Sequence, residues 1–100
     1  MKRWTTPIIP IRINGIDLKS CTTIWVTIKQ GDKEVTKDTP DGVIVSDVNR
    51  LLVLLTQEET AIFDEGEAFI DVRLFKDDRA FATKIRRISI EDVLREGLIS

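Results

Sequence analysis

Residues 67–75 alternate strictly between aliphatic side chains and side chains of other kinds, in the order Glu-Ala-Phe-Ile-Asp-Val-Arg-Leu-Phe. The aliphatic positions are Ala68, Ile70, Val72 and Leu74. A period of two is typical of a β-strand, because successive side chains point to opposite faces, whereas the apolar positions of a helix recur every three or four residues. The segment therefore predicts a strand with one face on a hydrophobic core.

The opposite face of this predicted strand carries aromatic rings. Phe69 and Phe75 fall on the side that a two-layer fold leaves to solvent, and Trp25 has the same relation to the aliphatic row of residues 22–29. Either a terminal helix and the N-terminal arm cover these rings, or the rings belong to a protein interface, since contiguous exposed aromatic patches usually mark contact sites. Trp4, in the arm, is a further candidate contact.

Turn signals divide the remaining chain into more short strands. The predicted strands are residues 7–13, 22–29, 33–37, 43–45, 51–55 and 80–90. Pro10 has no N–H to donate, which makes the first of them an edge strand. The run 51–55 is compatible with a strand buried on both faces or with a helix segment, and its length and flanks favour the strand.

Helical structure is predicted only in two short segments. Thr56 and Glu59 have the spacing of a capping box, which predicts a helix near residues 57–63. Residues 91–96 predict a helical turn that ends at Gly97. In the return strand the apolar parity changes, which predicts a β-bulge near Arg86–Arg87.

These elements predict one mostly β domain spanning residues 1–100, with residues 1–6 as a flexible N-terminal arm. About seven short strands with almost no helix indicate an antiparallel β-sandwich of immunoglobulin-like architecture with Greek-key connections, and a small barrel is the alternative. A length of 100 residues suits one core, and 42% hydrophobic with 32% charged residues is a globular composition.

The composition excludes much of catalytic and metal chemistry. The chain has no histidine, no tyrosine and a single cysteine, Cys21, so histidine-dependent catalysis, an internal disulfide and a multi-thiolate zinc site are ruled out. Acidic pairs such as Asp38 with Asp41 and Asp77 with Asp78 fall in turns, where aspartate is favoured for its backbone geometry. We expect no enzyme activity, no catalytic residue, no bound metal and no cofactor.

The charge distribution does not favour binding to polyanionic partners. The formal net charge is −2, so there is no global positive field to attract nucleic acid or an anionic membrane. Arg12, Lys84, Arg86 and Arg87 would form one basic stripe only if the terminal strands were neighbours. The sequence shows no signal peptide and no long apolar run, so we expect synthesis in the cytoplasm and no membrane partner. Nucleic acid is an unfavoured partner.

Read as a whole, the chain resembles small structural proteins of phage and prophage particles of Gram-positive bacteria, and is similar to N-terminal β domains of baseplate and tail proteins. The residues that carry the resemblance are Thr6-Pro7 with the isoleucines of 9–13, Gly15 to Leu18, Trp25 to Gly31, Leu55 to Thr60, Gly66 before Ile70 to Arg73, and Ala82-Thr83. The chain departs from the usual pattern at Cys21-Thr22, where small residues are expected, and at Asp77-Asp78-Arg79, where a glycine-containing turn is common.

The resemblance implies a non-enzymatic structural or assembly role in a phage tail, baseplate or head–tail region. The implied partners are other phage structural proteins or further copies of the chain, with incorporation into the virion. The family offers no functional residue to carry over, so the candidate contacts remain Trp4, Trp25, Phe69 and Phe75. The alternatives are an intracellular adaptor or regulatory binding module and an immunoglobulin-like adhesion or carbohydrate-binding domain.

Overall fold

Two antiparallel sheets face each other in the computed structural model, which describes residues 1–100. The eight strands are β1 (Ile8–Arg12), β2 (Thr23–Gln30), β3 (Lys33–Asp38), β4 (Val43–Asp47), β5 (Arg50–Leu54), β6 (Gly66–Lys76), β7 (Arg79–Ala82) and β8 (Arg86–Ile90). The smaller sheet has the order β1-β5-β4, and the larger has the order β3-β2-β6-β7, with β8 also paired to β6. The predicted mostly β, two-sheet architecture is confirmed, with eight strands in place of about seven.

The core lies between the two sheets and follows the alternation seen in the sequence. In β6 the aliphatic row is buried, from Ala68 with no exposed surface to Ile70 at 7% exposure. The smaller sheet contributes Leu51 and Val53 from its central strand β5, both fully buried. Removing this apolar surface from water is the main stabilising contribution to such a fold.

The edges of the smaller sheet also agree with the sequence. Strand β1 pairs only with β5, so Pro10 lies on an edge strand as predicted. The run 51–55 forms a strand and not a helix, because β5 is the central strand between β1 and β4 and its side chains find apolar partners there.

A short helix, α1 (Gln57–Ala61), closes one end of the sandwich. The predicted capping box is present: the Glu59 backbone N–H donates to the Thr56 hydroxyl at 3.2 Å, and the Thr56 N–H donates to the Glu59 carboxylate at 2.8 Å. The helix is shorter than the predicted 57–63, but Phe63 still turns inward and is 1% exposed.

The helical turn predicted at residues 91–96 does not form. Glu91 instead pairs in parallel with the N-terminal segment through Lys2, which extends the sheet beyond β8. Leu94 is fully exposed, so the segment has no apolar contact that would stabilise a helix.

The predicted return strand 80–90 is divided into β7 and β8, which lie end to end along the same edge of β6. Arg86 pairs with Ile70, where a continuous register from β7 would place it opposite Phe69, so the register advances by one residue. Thr83 sits at the break, where its hydroxyl accepts a hydrogen bond from the Val72 N–H at 3.0 Å. The one-residue slip predicted from the parity change is present, but as a break at 83–85 and not as a bulge near Arg86–Arg87.

The N-terminal segment lies against its own chain. The Arg3 N–H donates to the Glu91 carbonyl, and the Arg3 guanidinium donates to the carbonyls of Phe63 and Ala61 at the end of α1. The same guanidinium contacts Asp92 at 2.9 Å and Glu96 at 2.8 Å. These bonds join the N-terminal segment, the helix and the C-terminal segment at one place.

Candidate protein-contact surface

The outer face of the larger sheet carries three of the four candidate contact residues. Residues paired directly across antiparallel strands share a face, so the register places Trp25 beside Arg73, and Phe75 beside Thr23 and Ala80. Phe69 lies between Lys29 on β2 and Arg87 on β8. Trp25, Phe69 and Phe75, together with their charged neighbours on this side, are called the aromatic face below.

The rings of the aromatic face are exposed. Trp25 and Phe69 each retain 44% of their accessible surface, and Phe75 retains 41%. The N-terminal segment pairs with the end of β8, and Ile99, the next-to-last residue, is hydrogen-bonded to Gln57 of α1, so neither terminal segment covers the rings. Of the two sequence-based alternatives, coverage by these segments is therefore wrong.

Charged side chains separate the rings, and most of them have no partner of opposite charge in the chain. Glu34, Asp38, Lys29, Asp71 and Arg73 make none of the ion pairs of the molecule; Arg87 has an exposed contact with Glu67 at 3.7 Å. The Arg73 guanidinium lies over the Trp25 ring, 5.4 Å from its centroid, which is a cation–π geometry. This contact orients the largest ring of the face.

Two shallow grooves cross the surface of the aromatic face. One, of about 610 Å³, runs along β2 and β6, with Phe69, Asp71 and Arg73 among its lining residues. The other, of about 200 Å³, lies around Trp25 and Phe75. Arg73 lines both grooves, so it marks the boundary between them.

Trp4 does not belong to the aromatic face. It is half-buried in a concavity formed with Glu58, Ala61, Ile62 and Leu98, at the end of the sandwich that α1 closes. Its indole N–H is buried without a hydrogen-bond partner. The structure thus brings together three of the four candidate contacts and places the fourth elsewhere.

The basic residues noted in the sequence do come together. Arg12, Lys84, Arg86 and Arg87 line one groove of about 200 Å³ between the edge strands β1 and β8. Ile9, Ile11 and Ile88 line the same groove, as does the acidic Asp71, and no aromatic ring lines it. A groove without stacking rings lacks the platform on which single-stranded nucleic acids are usually bound.

Cys21 packs against the hydrophobic core at the end of the short 3-10 helix Leu18–Ser20. Burial raises the pKa of the Cys21 thiol, with a smaller opposing effect from Lys76. A raised pKa keeps the thiol protonated at neutral pH, which is the behaviour of a structural cysteine.

The sequence places Asp71 and Arg73 beside Phe69 and Phe75, but sequence reasoning missed the charged members that the other strands contribute. Arg73 was visible in the strand 67–75, but its position over Trp25, 48 positions away along the chain, depends on the pairing of β2 with β6. Glu34 and Arg87 became part of the same face for the same reason. The signal available in the sequence was the shared parity of charged and aromatic residues within each strand.

No helix of the structure has the length and apolarity needed to cross a membrane. A scan against protein-family models and searches of curated proteins and of solved structures found no match to this chain.

Proposed function

We propose that this protein is a non-enzymatic structural or assembly component of a phage or prophage particle, in the tail, baseplate or head–tail region. It acts through protein–protein contacts, and the aromatic face is its contact surface. The observation that carries the proposal is the exposure of Trp25, Phe69 and Phe75 on one face of the larger sheet.

The composition of the aromatic face supports a protein partner. Aromatic residues and arginine are enriched in protein interfaces, because they bury large areas at low cost in side-chain entropy and retain a polar group for hydrogen bonding. Trp25 and Arg73 have this character and are already held against each other. The surrounding unpaired charges provide the polar rim that specific interfaces usually have.

The phage setting is supported by the resemblance in the sequence. A structural component of a particle needs a stable fold that presents a fixed surface, and a sheet face is more rigid than a loop. Gene context gives the first test: we expect the neighbouring genes to encode portal, tape-measure or tail proteins. A locus among metabolic genes would favour the adaptor alternative.

The direct test compares particle incorporation of the wild-type chain and of two single variants, Trp25→Thr and Phe69→Thr. Threonine preserves strand propensity and removes the ring. We expect both variants to remain folded and to be depleted from purified particles. The matched control is Ile44→Thr, because Ile44 lies on a strand of the smaller sheet with a similar exposure of 46%. Equal incorporation of all four proteins would contradict the proposal.

A further inference from the structure

The charges on the aromatic face have an order that makes the face complementary to itself. The acidic residues Glu34 and Asp38 lie on β3, the outer strand at one side of the face, and the basic Arg87 lies on β8 at the other side; between them β2 carries Lys29, and β6 carries Arg73 with the acidic Glu67 and Asp71. A surface with opposite charges on its two sides can pair with a copy of itself when a two-fold axis exchanges the sides.

The strand register fixes which residues would meet. One row across the sheet reads Glu34, Lys29, Phe69 and Arg87, and a second row reads Asp38, Trp25, Arg73 and Ala82. A two-fold axis that runs parallel to the strands, between β2 and β6, places each row opposite the same row of the partner subunit in reversed order. Glu34 then faces Arg87 of the partner subunit, and Trp25 faces Arg73 of the partner subunit.

We propose that the occupant of the aromatic face is a second copy of this chain, docked face to face about this axis. The inference rests on the proposed function, since it names the partner of the contact surface. Lys29 then lies over Phe69 of the partner subunit, so both rows place a cation against an aromatic ring. Stacked sheets with nearly aligned strands are a common packing arrangement, which this axis produces.

The other in-plane axis is disfavoured by charge. A two-fold axis perpendicular to the strands would set Glu34 against Asp38 of the partner subunit and Asp71 against its own equivalent. Like charges placed opposite each other in an interface are strongly unfavourable. The charge pattern therefore selects one orientation of the dimer.

The size of the face is that of a weak dimer interface. Its strands β2, β3, β6, β7 and β8 hold 34 residues, which at about 4.8 Å between strands and about 3.4 Å per residue give a flat area of roughly 550 Å². Each partner in a standard protein interface buries about 800 Å². The face is thus smaller than the interface of a standard stable complex, which predicts a weak dimer that dissociates on dilution.

The test is a charge swap followed by analytical ultracentrifugation over a concentration series up to about 1 mM. Glu34→Arg alone and Arg87→Glu alone each create two like-charge contacts per dimer, and we expect each to weaken dimerisation by roughly tenfold or more. An equimolar mixture of the two variants restores both pairs, as does the double variant. Lys19→Glu, a charge reversal on the 3-10 helix away from the face, is the control and should dimerise as the wild type does.

Two results would overturn the proposal. One is a wild-type protein that stays monomeric up to 1 mM, and the other is a dimer that neither charge reversal weakens. The particle-incorporation test separates this failure from failure of the proposed function: if Trp25→Thr is depleted from particles while the chain is monomeric, the aromatic face contacts a different protein. Circular dichroism of every variant confirms that the fold is intact.

Discussion

Replacing Arg3 by methionine should destabilise the fold far more than replacing the neighbouring Lys2. The Arg3 side chain is only 13% exposed and donates to two carbonyls at the end of α1 and to the carboxylates of Asp92 and Glu96. Hydrogen bonds that involve a charged group contribute about 1.5–3 kcal/mol each, and exposed ion pairs about 0.2–1 kcal/mol. The Arg3→Met variant, which keeps an apolar stem, should therefore lose at least about 3 kcal/mol of unfolding free energy.

The assay is urea denaturation followed by circular dichroism, with thermal unfolding as a second measure. For a domain of this size, a loss of about 3 kcal/mol lowers Tm by roughly 12 °C or more. The matched control is Lys2→Met. The Lys2 side chain is 58% exposed and its ion pair with Glu91 is long, at 3.9 Å, so this variant should lose less than about 1 kcal/mol of unfolding free energy. A loss below about 1 kcal/mol for Arg3→Met, or equal losses for the two variants, would refute the role assigned to Arg3.

Three further changes test local features of the fold. Asp78 has φ +60° in the two-residue turn between β6 and β7, a conformation that glycine adopts without strain. Asp78→Gly should therefore raise the unfolding free energy in urea by about 0.5 kcal/mol. A lower unfolding free energy would contradict the turn geometry. Burial raises the pKa of Glu59, but hydrogen bonds from Lys37 and Thr56 outweigh it and hold the pKa below its usual 4.5. Glu59→Gln keeps the capping box and loses the ion pair with Lys37, so it should lower the unfolding free energy by about 1–3 kcal/mol at pH 7. Because the pKa of Glu59 is lowered in the folded protein, the stability difference between wild type and variant should shrink as the pH falls below 4.5. A stability difference that does not change with pH would contradict the ion pair. Thr83→Val removes the hydroxyl that accepts from the Val72 N–H, so it should lower the unfolding free energy in urea by about 1–2 kcal/mol. An unchanged stability would show that the hydroxyl does not stabilise the break between β7 and β8.

The strands of this fold could be predicted from the sequence because burial imposes a period of two. Ile24, Val26 and Ile28 on β2 and the aliphatic row of β6 form one buried layer, and any slip of one residue would expose the whole row. The capping box of α1 was equally visible, since its hydrogen bonds join residues only three positions apart.

Features that depend on distant pairings could not be predicted in the same way. Residues 91–96 have a helical composition, but Glu91 pairs with the N-terminal segment and Asp92 binds Arg3, both about ninety positions away along the chain. Likewise, the parity of Trp25 and Phe69 placed both rings on the face that a two-layer fold leaves to solvent, but it left open whether other segments cover them. It also did not predict the charged residues that neighbouring strands place beside them. The neighbours of a strand follow from long-range pairing, which local periodicity does not encode.

The central claim is that the aromatic face is buried against another protein in the working assembly. Hydroxyl-radical footprinting with mass spectrometry measures the oxidation of Trp25, Phe69 and Phe75 in the dilute monomer and in the purified particle. We predict strong protection of all three rings in the particle, while Phe81, which is 41% exposed but on the opposite side of the sheet, serves as the internal reference. Equal oxidation of Trp25, Phe69 and Phe75 in the two samples would contradict the claim.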